Sequence, residues 1–187
     1  MTIEEIFGLL AQHMIKGMMV HAQMADYFRF LGLEGYAECH EYHYLDESKN
    51  YRELVKYYTL HYNKLILDLP IENPHIIPDD WGQFTRYEVT PAVRKNAISI
   101  GFDKWMDWEQ KTKKIYEGYC KELYNLGEIA SMKEIEKFVE DVNEEIAEGY
   151  KKIVGLKSID YDISNIYDEQ GKLQKKFYKK IKEIEYA

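Results

Sequence analysis

The stretch DLPIENPHIIPDDWGQFTRYEVTP, Asp68 to Pro91, holds all four prolines of a 187-residue chain: Pro70, Pro74, Pro78 and Pro91. Proline removes a backbone donor and its ring clashes in a helix interior, so this stretch reads as one long non-helical connection. On either side of it, apolar residues recur at helical spacing. Upstream, Ile6, Leu10, His13, Gly17, His21, Met24, Phe28 and Leu31 trace one stripe of a first helix. Thr2 with Glu5 forms a capping box at its start, and Gly32 stops it. A second helix, Glu34 to Leu67, turns Leu33, Ala37, His40, Tyr44, Glu47, Tyr51, Leu54 and Tyr58 inward. Downstream, Thr90-Pro91 is an N-cap with proline at the first position of a third helix. That helix carries Ile98, Phe102, Trp105, Thr112, Tyr116, Tyr119, Leu123 and Leu126 and ends at Gly127. Ser131 and Glu134 read as the cap of a fourth helix, whose stripe is Ile135, Phe138, Val142, Ile146, Gly149 and Ile153. A fifth, Ser164 to Glu183, is lysine-rich and weakly amphipathic.

Short turns make neighbouring helices antiparallel, and one long crossover carries the chain to the other end of the bundle. A link of roughly 22 residues is unusual inside a compact domain. Here it has to span a helix length, on the order of 40 Å. The expected architecture is an all-α, up-down-down-up four-helix bundle over residues 1–157, its crossover at 68–91 between the second and third helices. Residues 158–187 form a C-terminal helical extension.

Composition narrows the function. A net charge of −8 argues against a general nucleic-acid binder, which needs cationic surface. No segment approaches the roughly 18 unbroken apolar residues of a membrane span. The start, Met1-Thr2-Ile3-Glu4-Glu5, lacks the basic and apolar regions of a signal peptide, so the cytoplasm is the expected location. Cys39 and Cys120 are too few and too far apart for a disulfide framework or zinc site, and read as reduced thiols. No Gly-rich phosphate loop, Ser-His-Asp arrangement or nucleophile elbow is present.

Two local stretches point to a family. Tyr27-Phe28 followed by Leu33-Glu34-Gly35-Tyr36-Ala37 resembles the end of the first ferritin helix and the opening of the second. Leu123-Tyr124-Asn125-Leu126 followed by Phe138-Val139-Glu140 resembles the turn joining the third and fourth. With the single crossover, the chain resembles the ferritin-like superfamily over residues 2–157, and in overall texture is similar to phage-type ferritin-like proteins. The resemblance implies a di-iron centre of glutamates and histidines that includes Glu-x-x-His on a helix. This sequence departs from it. Its one Glu-x-x-His, Glu72 to His75, is interrupted by Pro74. The second helix has Glu47-Ser48-Lys49-Asn50 at the motif's place, and the first-helix glutamate falls near His13 and Met14. Asparagine is a far poorer iron ligand than imidazole.

Counting from the turns still collects donors at one level. Glu47 lies roughly 21 Å along the second helix from the turn at Leu33. Antiparallel pairing brings His21 to the same height; the third helix arrives there with Trp105 through Glu109, the fourth with Glu144 and Glu145. His40, His43 and Glu47, spaced by three and four, share one face. The candidate metal ligands are therefore His21, His40, His43, Glu47, Glu109 and Glu144, for iron, manganese or zinc.

Each has a plainer reading. Glutamates in charge-dense helices ordinarily face solvent, and His40 and His43 can hydrogen-bond among the 17 tyrosines. His21 interrupts an apolar stripe and needs a partner wherever it is buried. His13 and His61 read as structural, Trp105 and Trp108 as core. Lys172, Lys175, Lys176, Lys179, Lys180 and Lys182 read as a solvated face, or as a dock for an acidic partner. Two functions compete: a metal protein for iron handling or di-metal oxidoreduction through an altered centre, and a metal-free structural or interaction module of phage derivation. Trp81 and Phe84 beside the crossover suggest self-association as a dimer.

Overall fold

The computed structural model describes residues 1–66, 74 and 88–185. Among these the chain forms five helices and no strand: α1 (Ile3–Phe30), α2 (Glu34–Tyr62), α3 (Pro91–Asn125), α4 (Ile129–Ser158) and α5 (Ile163–Glu185). Most of the crossover, with Glu72, His75, Trp81 and Phe84, lies outside the described residues. None of the helices is long and apolar enough to cross a membrane.

The boundaries follow local chemistry. Thr2 Oγ1 accepts from the Glu5 amide at 3.1 Å while the Thr2 amide donates to Glu5 Oε2 at 2.8 Å, closing the expected capping box. Gly32 (φ 75°) and Gly127 (φ 78°) take the left-handed conformation that turns α1 into α2 and α3 into α4. In each turn the next amide reaches back to the last helical turn, Leu33 N to Phe28 O and Glu128 N to Leu123 O, both 2.9 Å. Two boundaries differ from expectation. α2 stops at Tyr62, short of Leu67, because Asn63 adopts a left-handed conformation (φ 53°) that a helix cannot continue through. Ser131 does not cap α4, which has already begun at Ile129; it is buried, and its hydroxyl meets those of Tyr57 and Tyr62 on α2.

α1 packs along α2, α3 along α4, and α1 touches α3. Within this bundle the described apolar side chains gather in two clusters stacked along the helix axes. One contains Val20, Phe28, Tyr36, Phe102, Trp105 and Ile153. The other contains Phe7, Leu10, Leu54, Tyr58, Tyr116 and Phe138. Between the clusters each helix turns polar or small residues inward: Gly17 and His21 on α1, His40, His43, Glu47 and Asn50 on α2, Glu109 and Thr112 on α3, Glu145 on α4.

α5 is strongly, not weakly, amphipathic. Ile166, Gln170, Leu173 and Phe177 recur at spacings of four, three and four, and all are buried, chiefly against α2. The Tyr36 amide donates to Gln170 Oε1 at 3.0 Å. Gly35 admits this contact, since a Cβ there would lie 2.6 Å from the Gln170 carbonyl oxygen. The lysine face is partly engaged: Lys176 Nζ lies 3.3 Å from Glu148 Oε1, and Lys180 Nζ 4.5 Å from the Tyr42 ring centroid. Because Phe177 is 0% exposed, Phe177→Ala is expected to cost about 3–5 kcal/mol in denaturant unfolding. A loss under about 1 kcal/mol would mean that the α5 contact contributes little to stability.

Candidate metal centre

The polar layer between the clusters is assembled from four helices. From α1, His21 is fully buried; its Nε2 lies 3.5 Å from Glu109 Oε1 of α3, and its Nδ1 is 3.1 Å from the Nδ1 of His40 on α2. From α2, His43 places Nδ1 3.3 Å from Glu145 Oε1 of α4. One donor atom each from His21, Glu109 and Glu145 fall within 4.8 Å of one another. Trp105, one turn before Glu109, donates its indole N–H to Glu109 Oε1 at 3.0 Å and so fixes that carboxyl. Glu47 is buried and leans on α1 at Gly17, where a Cβ would stand 2.9 Å from its Oε1. Glycine there leaves room for the carboxyl.

Of the six expected ligands, His21, His40, His43, Glu47 and Glu109 lie buried in this layer. Glu144 does not; it is exposed, and its neighbour Glu145, with a side chain only 14% exposed, takes the inward place. The reason is azimuthal. Glu145 is three residues after Val142 and four before Gly149, both buried, whereas Glu144 is rotated about 100° onto the outer face. That register was readable from the fourth-helix stripe. The Trp105–Glu109 bond, at i and i+4, was also within reach of spacing; the Gly17–Glu47 approach was not. The remaining described histidines have other roles. His13 Nε2 hydrogen-bonds Thr112 Oγ1 at 2.9 Å and stacks on Trp108, with ring centroids 4.9 Å apart. His61 is exposed and stacks on Tyr57.

Burial dominates the electrostatics. It raises the Glu47 and Glu109 carboxyls well above the usual range, and the neighbouring Glu145 raises both further. It lowers His21 to about 3 and His40 well below the ordinary value, with added repulsion from the other histidines. His43 and Glu145 form the exception. Burial opposes both charges, but their mutual attraction prevails, raising His43 and lowering Glu145. The shifts thus favour a charged His43–Glu145 pair and the uncharged forms of Glu47, Glu109, His21 and His40.

His21 Nε2, His43 Nε2, Glu47 Oε2 and Glu109 Oε2 are buried with no hydrogen-bond partner. Buried polar atoms left without partners in one layer are costly. All are metal-donor types, and a divalent cation held by His21, Glu109 and Glu145 would satisfy His21 Nε2 and the Glu109 carboxyl. The residues present therefore fit a transition-metal ion.

No family model and no curated protein matches this chain. Among solved structures it is similar to a humanized archaeal ferritin, with a TM-score of 0.75 and 15% identity over 91% of this chain and 94% of that one. It is also similar to a closed form of the Archaeoglobus fulgidus ferritin engineered by site-directed mutagenesis, with a TM-score of 0.75 and 15% identity over 93% and 96%. At this identity the likeness establishes the fold: the bundle is ferritin-like.

Proposed function

We propose that this ferritin-like bundle binds a divalent transition-metal ion in its polar layer, through His21, Glu109 and Glu145, with Glu47 and His43 beside them. The carrying observation is the convergence of three donor atoms within 4.8 Å, with orphaned donors at His21 Nε2 and Glu109 Oε2. Glu109 and Glu145 supply anionic charge, Trp105 holds Glu109 in place, and the two apolar clusters exclude water. The ferritin names of the similar structures favour iron; manganese and zinc also suit a nitrogen–oxygen donor set. Bound iron would supply one-electron chemistry, and manganese or zinc Lewis acidity. Iron handling and di-metal oxidoreduction are the activities this reading favours.

One observation favours the metal-free module as a second reading. Burial favours the uncharged forms of Glu47 and Glu109, and His43 lies 3.3 Å from Glu145, an arrangement that can persist without a cation. Metal analysis after anaerobic loading with Fe(II), Mn(II) or Zn(II) and gel filtration separates the two. The expected result is retained metal in the parent and about 100-fold weaker binding in His21→Ala and Glu109→Ala. Loss of all three ions on the column would favour the metal-free module.

A further inference from the structure

We propose that His40 is the positioning residue of this centre: it accepts the Nδ1–H of His21 and thereby presents the bare Nε2 of His21 to Glu109. The inference rests on the metal reading above and assigns His40 a role other than that of ligand.

The two Nδ1 atoms lie 3.1 Å apart, so one carries a proton and the other a lone pair. If His40 donated, His21 would carry its proton on Nε2, aimed at Glu109 Oε1 across 3.5 Å, beyond hydrogen-bond reach. That oxygen already accepts from Trp105 at 3.0 Å. If His21 donates, its Nε2 carries a lone pair in place of an N–H and can bind a cation. The second arrangement leaves no N–H of His21 buried without an acceptor. It is also the general pattern of metal-binding histidines, in which one ring nitrogen ligates and the other donates to a fixed partner.

His40 is built to be that fixed partner. Its ring is 1% exposed, lies parallel to Phe28 at 5.4 Å and 7°, and meets Trp105 edge-on at 4.9 Å and 76°. These contacts hold the ring so that Nδ1 faces His21. With Nδ1 engaged, that nitrogen is closed to a metal ion.

The test has two readouts on the full chain. In metal-free protein labelled with ¹⁵N-histidine, long-range ¹H–¹⁵N spectra report which nitrogen of His21 carries the proton. Zinc, which is diamagnetic, is then titrated against a chromophoric chelator into the parent, H40Q and H40F. The expected results are Nδ1–H on His21, near-parental zinc affinity in H40Q, whose amide oxygen still accepts, and affinity about 10- to 100-fold weaker in H40F. Nε2–H on His21 in the parent, or equal zinc affinity in parent and H40F, overturns the role of His40 while leaving the metal reading intact. Absence of zinc binding in the parent overturns the metal reading and this role with it. Should H40F fail to fold, the parent spectrum and H40Q still decide.

Discussion

Metal-free Glu109→Gln protein is expected to unfold at a higher temperature than the parent, while losing the ability to retain metal. Glu109 is 0% exposed, and burial with the nearby Glu145 and Glu47 carboxyls keeps it protonated well above the usual pH. In the unfolded chain the same group ionises near pH 4.5, so the parent loses stability as the pH rises from that point toward the group's higher folded pKa. Glutamine has the same shape, carries no titration cost, and keeps an oxygen for the Trp105 N–H. A gain at pH 8 that shrinks toward pH 5 is therefore expected from thermal or urea unfolding in the presence of chelator. A gain that does not depend on pH, or a loss, would show that Glu109 is not held against its charge.

A second large effect concerns the parent itself. Glu47 and Glu109 have folded pKa values above their unfolded value of 4.5, and His43 has one above 6.5. Each keeps a proton that the unfolded chain releases, so each contributes stability at low pH that is lost as pH rises through its folded value. On the acid side the signs reverse. His13, lowered to about 4, and His21, lowered to about 3, stay neutral while the unfolded chain protonates near 6.5. Stability falls there as the pH drops below 6.5. Glu145, lowered from 4.5, adds to that acid loss. Above pH 6.5 only the first group of effects remains, and metal-free stability is expected to decline up to pH 8.5, by up to about 1.4 kcal/mol per unit for each group. A bound cation replaces those protons, so the stability difference between loaded and metal-free protein should widen over the same range. Unfolding midpoints at pH 5.5, 7 and 8.5, with and without chelator, check both trends. Metal-free stability that is flat or rising above pH 6.5 would contradict the assigned protonation states.

How far the sequence was legible depends on which helical coordinate was in question. Height along an axis needs only the turn positions and a constant rise. Gly32, Gly127 and the prolines supplied the turns, and the structure brings His21, Glu47 and Glu109 to one level. Rotation about the axis is less forgiving, because one residue is about 100°. That is why Glu144 and Glu145 exchange places. Ser131 with Glu134 has the form of a capping box, but the tight turn at Gly127 starts α4 earlier and carries Ser131 into the interior. The inner face of α5 was obscured because Gln170 sits among its apolar positions and lysines dominate its composition; its burial depends on a glycine on another helix. The His21–His40 contact joins side chains from two helices and is settled only by packing.

The stacking of two apolar clusters around one polar layer has a mechanical consequence. A free layer of carboxyls and imidazoles would close on itself, each donor turning to the nearest acceptor until nothing remained to attract an ion. Here α1 to α4 all pass through both clusters, and side chains such as Phe28 and Trp105 on one side and Tyr116 and Phe138 on the other grip the helices above and below the layer. The clusters act as the two jaws of a vice. Side chains that offer no ligand atom of their own therefore maintain the donors' readiness, and softening either jaw would let the layer relax into a satisfied, inert network.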